Sequence, residues 1–160
     1  MKPKHSINKE LQVTFRIENI QVLNFCLDNS PKHQELPLDY HYTIDIKAEI
    51  SVNSEQKIIG IDLTSLVFTT PTKDDKVCEL SIRHNFKVEN FSELVTIKDM
   101  RISLPNKLIE HFIALSYSTT RGIFFEKVQG SFLSSFILPV LDITKFKKTE
   151  NNISSIQQQV

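Results

Sequence analysis

The segment STTRG, residues 118–122, places hydroxyl groups, a guanidinium and a glycine within five consecutive positions. Three kinds of structure contain such a set: a phosphate-binding loop, a nucleophile beside its helper, or the end of a helix. The first two would make the protein an enzyme or a ligand-binding protein, whereas the third would be structural. The elements on either side of the segment decide which of the three applies.

The pattern around STTRG favours a helix. Pro105 suits a first helical turn, and from there apolar residues recur at roughly 100° per residue until about Lys127. One face, predicted to lie against a sheet, carries three hydroxyl residues that can bond the carbonyl four residues earlier: Ser116, Thr119 and Thr120. Arg121 is predicted on the opposite face, near the negative end of the helix dipole. Because a nucleophile and its helper would not lie on opposite faces, we interpret STTRG as part of the scaffold.

The other reactive residue types do not form a recognisable catalytic or metal-binding set. The five histidines lack an HxH or HExxH spacing and are interpreted as structural: His5, His33, His41, His84 and His111. Cys26 and Cys78 are too far apart for a CxxC motif, and three glycines cannot form a glycine-rich phosphate loop. We therefore expect no catalytic residue, no metal, no cofactor and no enzymatic activity.

Composition narrows the class of protein further. The chain has 160 residues with 19 basic and 19 acidic side chains, so its formal charge is zero. A general nucleic-acid binder would carry a basic excess, and a membrane span would need an apolar run of about 20 residues. Neither is present in the sequence, and the polar start lacks the apolar region of a signal peptide. We expect a cytoplasmic protein with free thiols, no nucleic-acid partner and no membrane insertion.

Alternating apolar and polar residues predict four long strands before the helix. The first strand slips in phase at Glu18-Asn19, which predicts a β-bulge in one bent strand. The second, residues 40–52, alternates most cleanly, as is typical of an antiparallel sheet with one solvated face. The third and fourth cover residues 59–68 and 78–88. We predict an α+β fold: a four-stranded antiparallel sheet, meander or Greek key, with the long helix packed on one face.

The sequence predicts one domain with a flexible polar segment at each end. Residues 1–9 are polar and form a flexible N-terminal lead, and residues 10–146 form the single domain. Residues 147–160 are rich in polar side chains and are predicted to be a disordered tail.

The order of these elements, and the residues that follow the helix, resemble the SecB-type chaperone family. In that family a long helix ends in a Ser/Thr-Arg-Gly sequence, and a Leu-Pro element and an acidic residue follow. In this chain Thr120-Arg121-Gly122, Leu138-Pro139 and Asp142 take those places. The resemblance covers residues 10–142 and includes the bulged first strand.

The resemblance implies a molecular chaperone that holds unfolded polypeptides in apolar grooves without ATP, in protein export or beside a toxin–antitoxin system. Members that hand clients to the translocation motor are strongly acidic, so the zero charge of this chain argues against that partner. The alternative is an adaptor that binds one specific protein partner.

The aromatic residues near the helix end are more numerous than one small core needs, and the resemblance implies that some of them line a client groove. The alternative, that each is a core residue, stays open. The candidates at the helix end and in the segment after it are Tyr117, Phe124, Phe125, Phe132 and Phe136, and the possible groove walls from the sheet are Phe15, Tyr40 and Tyr42. The family assembles as a dimer of dimers with its long helices in the middle. This implies a homo-oligomer with His111, Ala114 and Ser118 at the interface.

Overall fold

The computed structural model describes residues 12–37, 40–98, 101–142, 148–149, 152–153 and 156–159. The predicted N-terminal lead, residues 1–9, lies outside this part of the chain. Four long strands dominate the structure: β1 (Phe15–Leu27), β2 (Thr43–Asn53), β3 (Ile58–Phe68) and β4 (Lys76–Val88). One long helix accompanies them, and the remaining elements are short.

The short elements fill the connections between the strands and around the long helix. They are α1 (Pro31–Gln34), α2 (Phe91–Leu94), β5 (Thr96–Lys98), β6 (Arg101–Ser103), β7 (Lys148–Thr149), β8 (Asn152–Ile153) and β9 (Ile156–Gln159), whereas the long helix is α3 (Asn106–Lys127). Strands β5 and β6 pair with each other, as do β7 and β8.

The main sheet is antiparallel, with the order β1-β4-β3-β2-β9. Strands β2, β3 and β4 follow one another as hairpins, whereas β1 lies beside β4 and reaches β2 through a long crossover. This order is that of a Greek key rather than a simple meander. The predicted α+β fold, a four-stranded antiparallel sheet with a helix on one face, is confirmed.

Strand β1 contains the predicted bulge and a second one. Its register with β4 shifts between Ile17 and Asn19 and again between Val22 and Asn24. Each shift leaves an extra residue on β1, which bends the strand. Four apolar residues in the central part of β1 are 40% to 48% exposed: Ile17, Ile20, Val22 and Leu23. The reason is that β1 is an edge strand, paired only with β4 within the described residues.

Helix α3 packs on the apolar face of the sheet. Alternate side chains of β4, including Leu80, Ile82 and Phe86, are buried. The ring of Phe86 stacks on that of Phe112 from the helix, with centroids 4.3 Å apart. The helix begins directly after Pro105 and ends at Lys127, as its apolar period predicts. The chain then reverses near Gly130, whose φ of +76° is a conformation that glycine adopts without strain.

Part of the C-terminal tail forms short strands. Residues Ile156–Gln159 form β9, which pairs antiparallel with the first four residues of β2. The physical reason is that the outer edge of β2 offers backbone donors and acceptors that an extended segment can use, whatever its side chains. The remaining residues of the predicted tail that belong to no strand lie outside the described part of the chain. Within the described part, no helix is long and apolar enough to cross a membrane.

Candidate functional site

Two connecting segments meet at one end of the sheet. One is the crossover from β1 to β2, residues 28–42, and the other is the post-helix segment, residues 128–142. The ring of His33 in the crossover lies 5.5 Å from that of Phe132 in the post-helix segment, and the ring of Tyr42 lies 5.1 Å from that of Phe136. An open cleft of about 420 Å³ lies between the two segments. Its lining is Asn29, Gln34, Gly130, Ser131 and Phe132.

The crossover is tied to the β3–β4 turn by His33, whose side chain is only 2% exposed. Its Nε2 lies 3.0 Å from Oδ2 of Asp75, and its Nδ1 lies 3.1 Å from Oγ of Ser30. Asp75 also accepts hydrogen bonds from Lys32 at 2.8 Å and from Thr69 at 2.6 Å. These donors hold the pKa of the Asp75 carboxyl well below its usual range, chiefly through Lys32.

The order Ser30–His33–Asp75 matches that of a nucleophile, a base and an orienting acid. However, Ser30 directly precedes α1, and its contact with His33 joins two side chains only three residues apart at the beginning of that helix. Because the imidazole is buried and occupied on both nitrogens, we interpret the set as a structural tie. This agrees with the interpretation of His33 from sequence, which gave no sign of its partners.

Helix α3 holds the post-helix segment by two side-chain hydrogen bonds. The hydroxyl of Tyr117 donates to the carbonyl oxygen of Pro139 at 2.8 Å, and Nε of Arg121 donates to that of Leu138, also at 2.8 Å. The two donors are four residues apart and so lie one above the other on the helix. We call this pair of hydrogen bonds the clamp. The sequence predicts Arg121 on the helix face opposite the sheet but does not predict this partner, and the side chain is half-buried against the post-helix segment.

Three of the eight aromatic residues predicted to line a groove are core residues. Tyr42, Tyr117 and Phe124 are at most 6% exposed. Burial raises the pKa of the Tyr117 hydroxyl well above its usual value. Residues this deeply packed stabilise the fold, and for these three the structure agrees with the core interpretation that the sequence left open.

Four of the other five aromatic candidates lie in the crossover, the end of α3 or the post-helix segment, and the fifth lies on β1. Phe132 and Phe136 are half-buried in the post-helix segment, and Tyr40, also half-buried, donates to the carbonyl oxygen of Thr69 at 2.7 Å. Phe125 is 44% exposed and lies one helical turn beyond Arg121. Phe15 lies elsewhere, because its ring contacts those of Phe86, His111 and Phe112 instead.

Sequence reasoning missed the two most exposed large apolar residues of the described chain. Ile137 is 57% exposed and Val140 is 76% exposed, on either side of the clamped Leu138-Pro139 pair. The segment reads as a uniform apolar stretch, which predicts burial throughout. The signal that could have found them is the spacing of Leu138 and Leu141. Both side chains are buried, and the residue directly before each of them is exposed.

The outer face of α3 contains the residues predicted to form an oligomer interface. His111 and Ser118 are exposed and Ala114 is half-buried. On the sheet side, Thr119 donates to the carbonyl oxygen of Leu115 at 3.0 Å, as predicted for a helical threonine. The hydroxyls of Ser116 and Thr120 are buried and make no hydrogen bond within the described residues.

Reactive groups outside the cleft do not combine into a chemical site in the part of the chain that is described. Burial raises the pKa of the Cys78 thiol to about 12, so this thiol is protonated and inert. Cys26 is exposed and free. Within the described ranges, no group of three or more His, Cys, Asp or Glu side chains is placed to hold a metal ion.

Comparison with solved structures shows a SecB-like fold. The SecB-like chaperone of Mycobacterium tuberculosis, in complex with a ChAD peptide from the HigA1 antitoxin, matches with a TM-score of 0.51 and 10% identity, over 80% of this chain and 90% of that one. A Streptococcus agalactiae protein of unknown function matches with a TM-score of 0.38 and 12% identity, over 74% and 90%. No family profile and no curated protein matches the chain. The resemblance seen in the sequence is therefore confirmed at the level of the fold.

Proposed function

We propose that the protein holds extended, non-native polypeptide without ATP, along the surface formed by the end of α3 and the post-helix segment. The observation that carries this proposal is the exposure of Ile137 and Val140 on a segment that the clamp fixes to the helix. Exposed apolar side chains on a fixed backbone offer apolar area without having to be ordered on binding. Phe125, which is 44% exposed one turn beyond Arg121, is the helix residue that we assign to this surface.

The neighbouring cleft suits the backbone of an extended client. An extended chain buries apolar side chains but must also satisfy its N–H and C=O groups. The cleft offers the polar side chains of Asn29, Gln34 and Ser131 beside the ring of Phe132. Such a surface recognises extended polypeptide by many weak contacts rather than by one tight pocket.

An aggregation assay tests this proposal. We expect the full chain to suppress aggregation of a reduced, unfolded client protein in the absence of ATP. The variant Ile137→Ser/Val140→Ser should lose most of this protection, while its stability should change by no more than about 0.5 kcal/mol because both positions are exposed. The matched control is Glu126→Ser/Lys127→Ser, an exposed polar pair at the end of α3. Equal protection by both double variants would refute the proposed surface.

We further propose that the protein works as a homo-oligomer. The outer edge of β1 pairs with no other described strand, and Ile17, Ile20, Val22 and Leu23 are exposed on the same strand. An uncovered edge with exposed apolar residues readily pairs with another chain. The face of α3 that bears His111, Ala114 and Ser118 is the second candidate contact. A dimer of dimers is the assembly that we propose.

The second candidate function is an adaptor that binds one specific protein. The observation that favours it is that the M. tuberculosis chaperone of similar fold is in complex with an antitoxin peptide. A fixed stoichiometry with one partner, together with no protection of unfolded clients, would select this function over the first. In either case we propose a cytoplasmic binding protein without catalytic activity. We propose that it acts in protein export or beside a toxin–antitoxin system, and that it does not bind the translocation motor.

A further inference from the structure

We call the part of the outer β2 edge that pairs with another strand the covered half and the rest the uncovered half; β8 lies close to β2 but does not pair with it. On one side β2 pairs with β3 along its whole length, from Thr43 opposite Phe68 to Asn53 opposite Ile58. On the other side it pairs with β9 from Thr43 opposite Gln159 to Ile46 opposite Ile156. Residues 47–53 of this edge have no strand partner among the described residues.

The covered and uncovered halves of the β2 edge differ in chemistry. Lys47 and Glu49 are exposed in the uncovered half. Charged side chains on an edge strand discourage pairing with further strands. In the covered half all four residues are buried, and the one charge, Asp45, faces Lys73 at 3.4 Å. This half has no such protection, so it is the part of the edge that a strand can join.

Strand β9 is a weak occupant of this place. It pairs over four residues, and three of these are glutamines rather than the β-branched or aromatic residues that favour strands. Few backbone hydrogen bonds therefore hold it, and its attachment in the same chain supplies the high local concentration that keeps it bound. An occupant held by backbone pairing and proximity can be displaced by another extended segment.

We propose that residues Thr43–Ile46 form an acceptor site at which an extended segment of non-native polypeptide adds as a strand, and that Ile156–Gln159 is its internal competitor. This inference rests on the proposed function and gives it a binding mode. Strand addition suits a client of any sequence, because main-chain hydrogen bonds supply the affinity. A glutamine-rich tail has the properties expected of a competitor that binds weakly and dissociates readily.

The competition has a quantitative consequence. A site that is free for only a fraction of the time binds a client with an affinity reduced by that fraction. Weakening the pairing of the tail must therefore tighten client binding, and the tail added as a separate peptide must reverse the gain. A merely structural fifth strand would behave in the opposite way, since its loss would weaken the sheet and the binding together.

The experiment uses the full chain with Gln157→Pro/Gln158→Pro. Adjacent residues of a strand direct their N–H groups to opposite sides, so the pair removes the donor that faces β2 in either register. The matched control is Gln157→Asn/Gln158→Asn, which retains both N–H groups. The probe is a fluorescent peptide of residues 153–160, together with the same peptide N-methylated at positions 157 and 158. Amide hydrogen exchange at Thr43–Ile46 reports whether the edge is paired.

We expect the proline variant to exchange faster at Thr43–Ile46 and to bind the peptide about tenfold more tightly than the control. The N-methylated peptide should not bind. Equal peptide affinity in the two variants, or equal affinity for the two peptides, would overturn the inference. Peptide binding replaced by dimerisation of the proline variant in light scattering would also overturn it, because the occupant would then be a second copy.

The client arm separates failure of this inference from failure of the proposed function. With reduced, carboxymethylated lactalbumin as client, the proline variant should protect at a lower concentration than the control, and the peptide should compete. Unchanged protection without competition would overturn the acceptor site and leave the chaperone function standing. If neither variant protects the client while both bind the peptide normally, the chaperone function is refuted. The β2 edge would then bind only the tail of the protein.

Discussion

Arg121 donates from Nε to the carbonyl oxygen of Leu138 at 2.8 Å, and this bond links the end of the long helix to the segment that returns beside it. Leu138 itself is fully buried. The guanidinium therefore satisfies a backbone carbonyl in a place that water does not easily reach. The residue that looks most reactive in STTRG thus has a structural role, and it positions the exposed Ile137 and Val140.

Loss of the clamp should destabilise the protein measurably. We expect Arg121→Ala to lower the free energy of unfolding by about 2 kcal/mol, because it removes a charge-assisted donor, and Tyr117→Phe to lower it by about 1 kcal/mol. Urea denaturation measures both. Arg16→Ala, at an exposed arginine, is the control and should cost no more than about 0.5 kcal/mol. If Arg121→Ala costs no more than this control, the clamp does not hold the segment.

A double-mutant cycle tests whether the two donors of the clamp act together. Both bonds end on neighbouring carbonyls of one segment, so releasing either should loosen the other. We expect the loss in Tyr117→Phe/Arg121→Ala to differ from the sum of the single losses by at least about 0.5 kcal/mol. Strict additivity would mean that the segment is held mainly by the packing of Leu138 and Leu141.

His84 should make the protein less stable in mild acid. It is 1% exposed on β4, and burial lowers the pKa of its imidazole. The unfolded chain then binds more protons than the folded one as the pH falls below the unfolded value of about 6.5. Stability is therefore complete above that pH and declines below it. We expect His84→Leu to flatten the pH dependence of the free energy of unfolding between about pH 7 and 5.

The control for His84 is Ile82→Leu, an apolar exchange at a buried position of the same strand that changes no titratable group. This variant should retain the pH dependence of the wild type. Neither nitrogen of His84 makes a hydrogen bond within the described residues, so the leucine leaves no partner unsatisfied. An unchanged slope in His84→Leu would show that His84 is protonated as easily in the folded protein as in the unfolded chain.

Asp75 should hold the crossover segment in its folded conformation. Its carboxylate accepts hydrogen bonds from Lys32, His33 and Thr69, and in Asp75→Asn one oxygen and the negative charge are lost. We expect faster amide exchange over residues 30–36 while β3 retains its protection. Because the pKa of Asp75 is lowered, its stabilising effect is complete above the unfolded value near 3.9 and is lost as the pH falls through the folded value. Asp74→Asn, which leaves the His33 contact intact, is the control.

The free edge of β1 should determine the assembly. We expect Ile20→Lys to shift the protein towards the monomer in light scattering, because a charge on an edge strand opposes pairing. Ile20 is 40% exposed, so folding should persist, and circular dichroism checks this. Ser81→Lys, on the paired strand β4, places the same charge away from the edge. A monomeric wild type would refute the proposed assembly before any variant is made.

The fold was predictable because each of its main elements leaves a local pattern. The phase slip at Glu18-Asn19 marks a bulge that the register of β1 contains. The apolar period after Pro105 predicts the helix from beginning to end. Neither feature depends on which element packs against which. For that reason periodicity in a single sequence is sufficient to find them.

The surface was not predictable, because burial depends on neighbours that a periodic pattern does not name. Ile17 and Ile20 alternate like core residues and are exposed, since β1 lies at an edge. Tyr117 and Phe124 seemed surplus to the core and are buried. For Tyr117, the hydrogen bond to Pro139 places the post-helix segment against the same side of α3. Long-range contacts of this kind decide which aromatic residues a client can reach.

The strand order also implies an order in which the strands pair during folding. Among the described strands β1 pairs only with β4, so Phe15 cannot pair until Val88 has been synthesised. Strands β2, β3 and β4 can form hairpins locally, whereas the pairing of β1 with β4 closes a much longer loop and should form later. During synthesis, its apolar residues leave the ribosome well before their partner exists. A nascent copy of the protein therefore exposes an unpaired apolar strand of the very kind that a holding chaperone recognises.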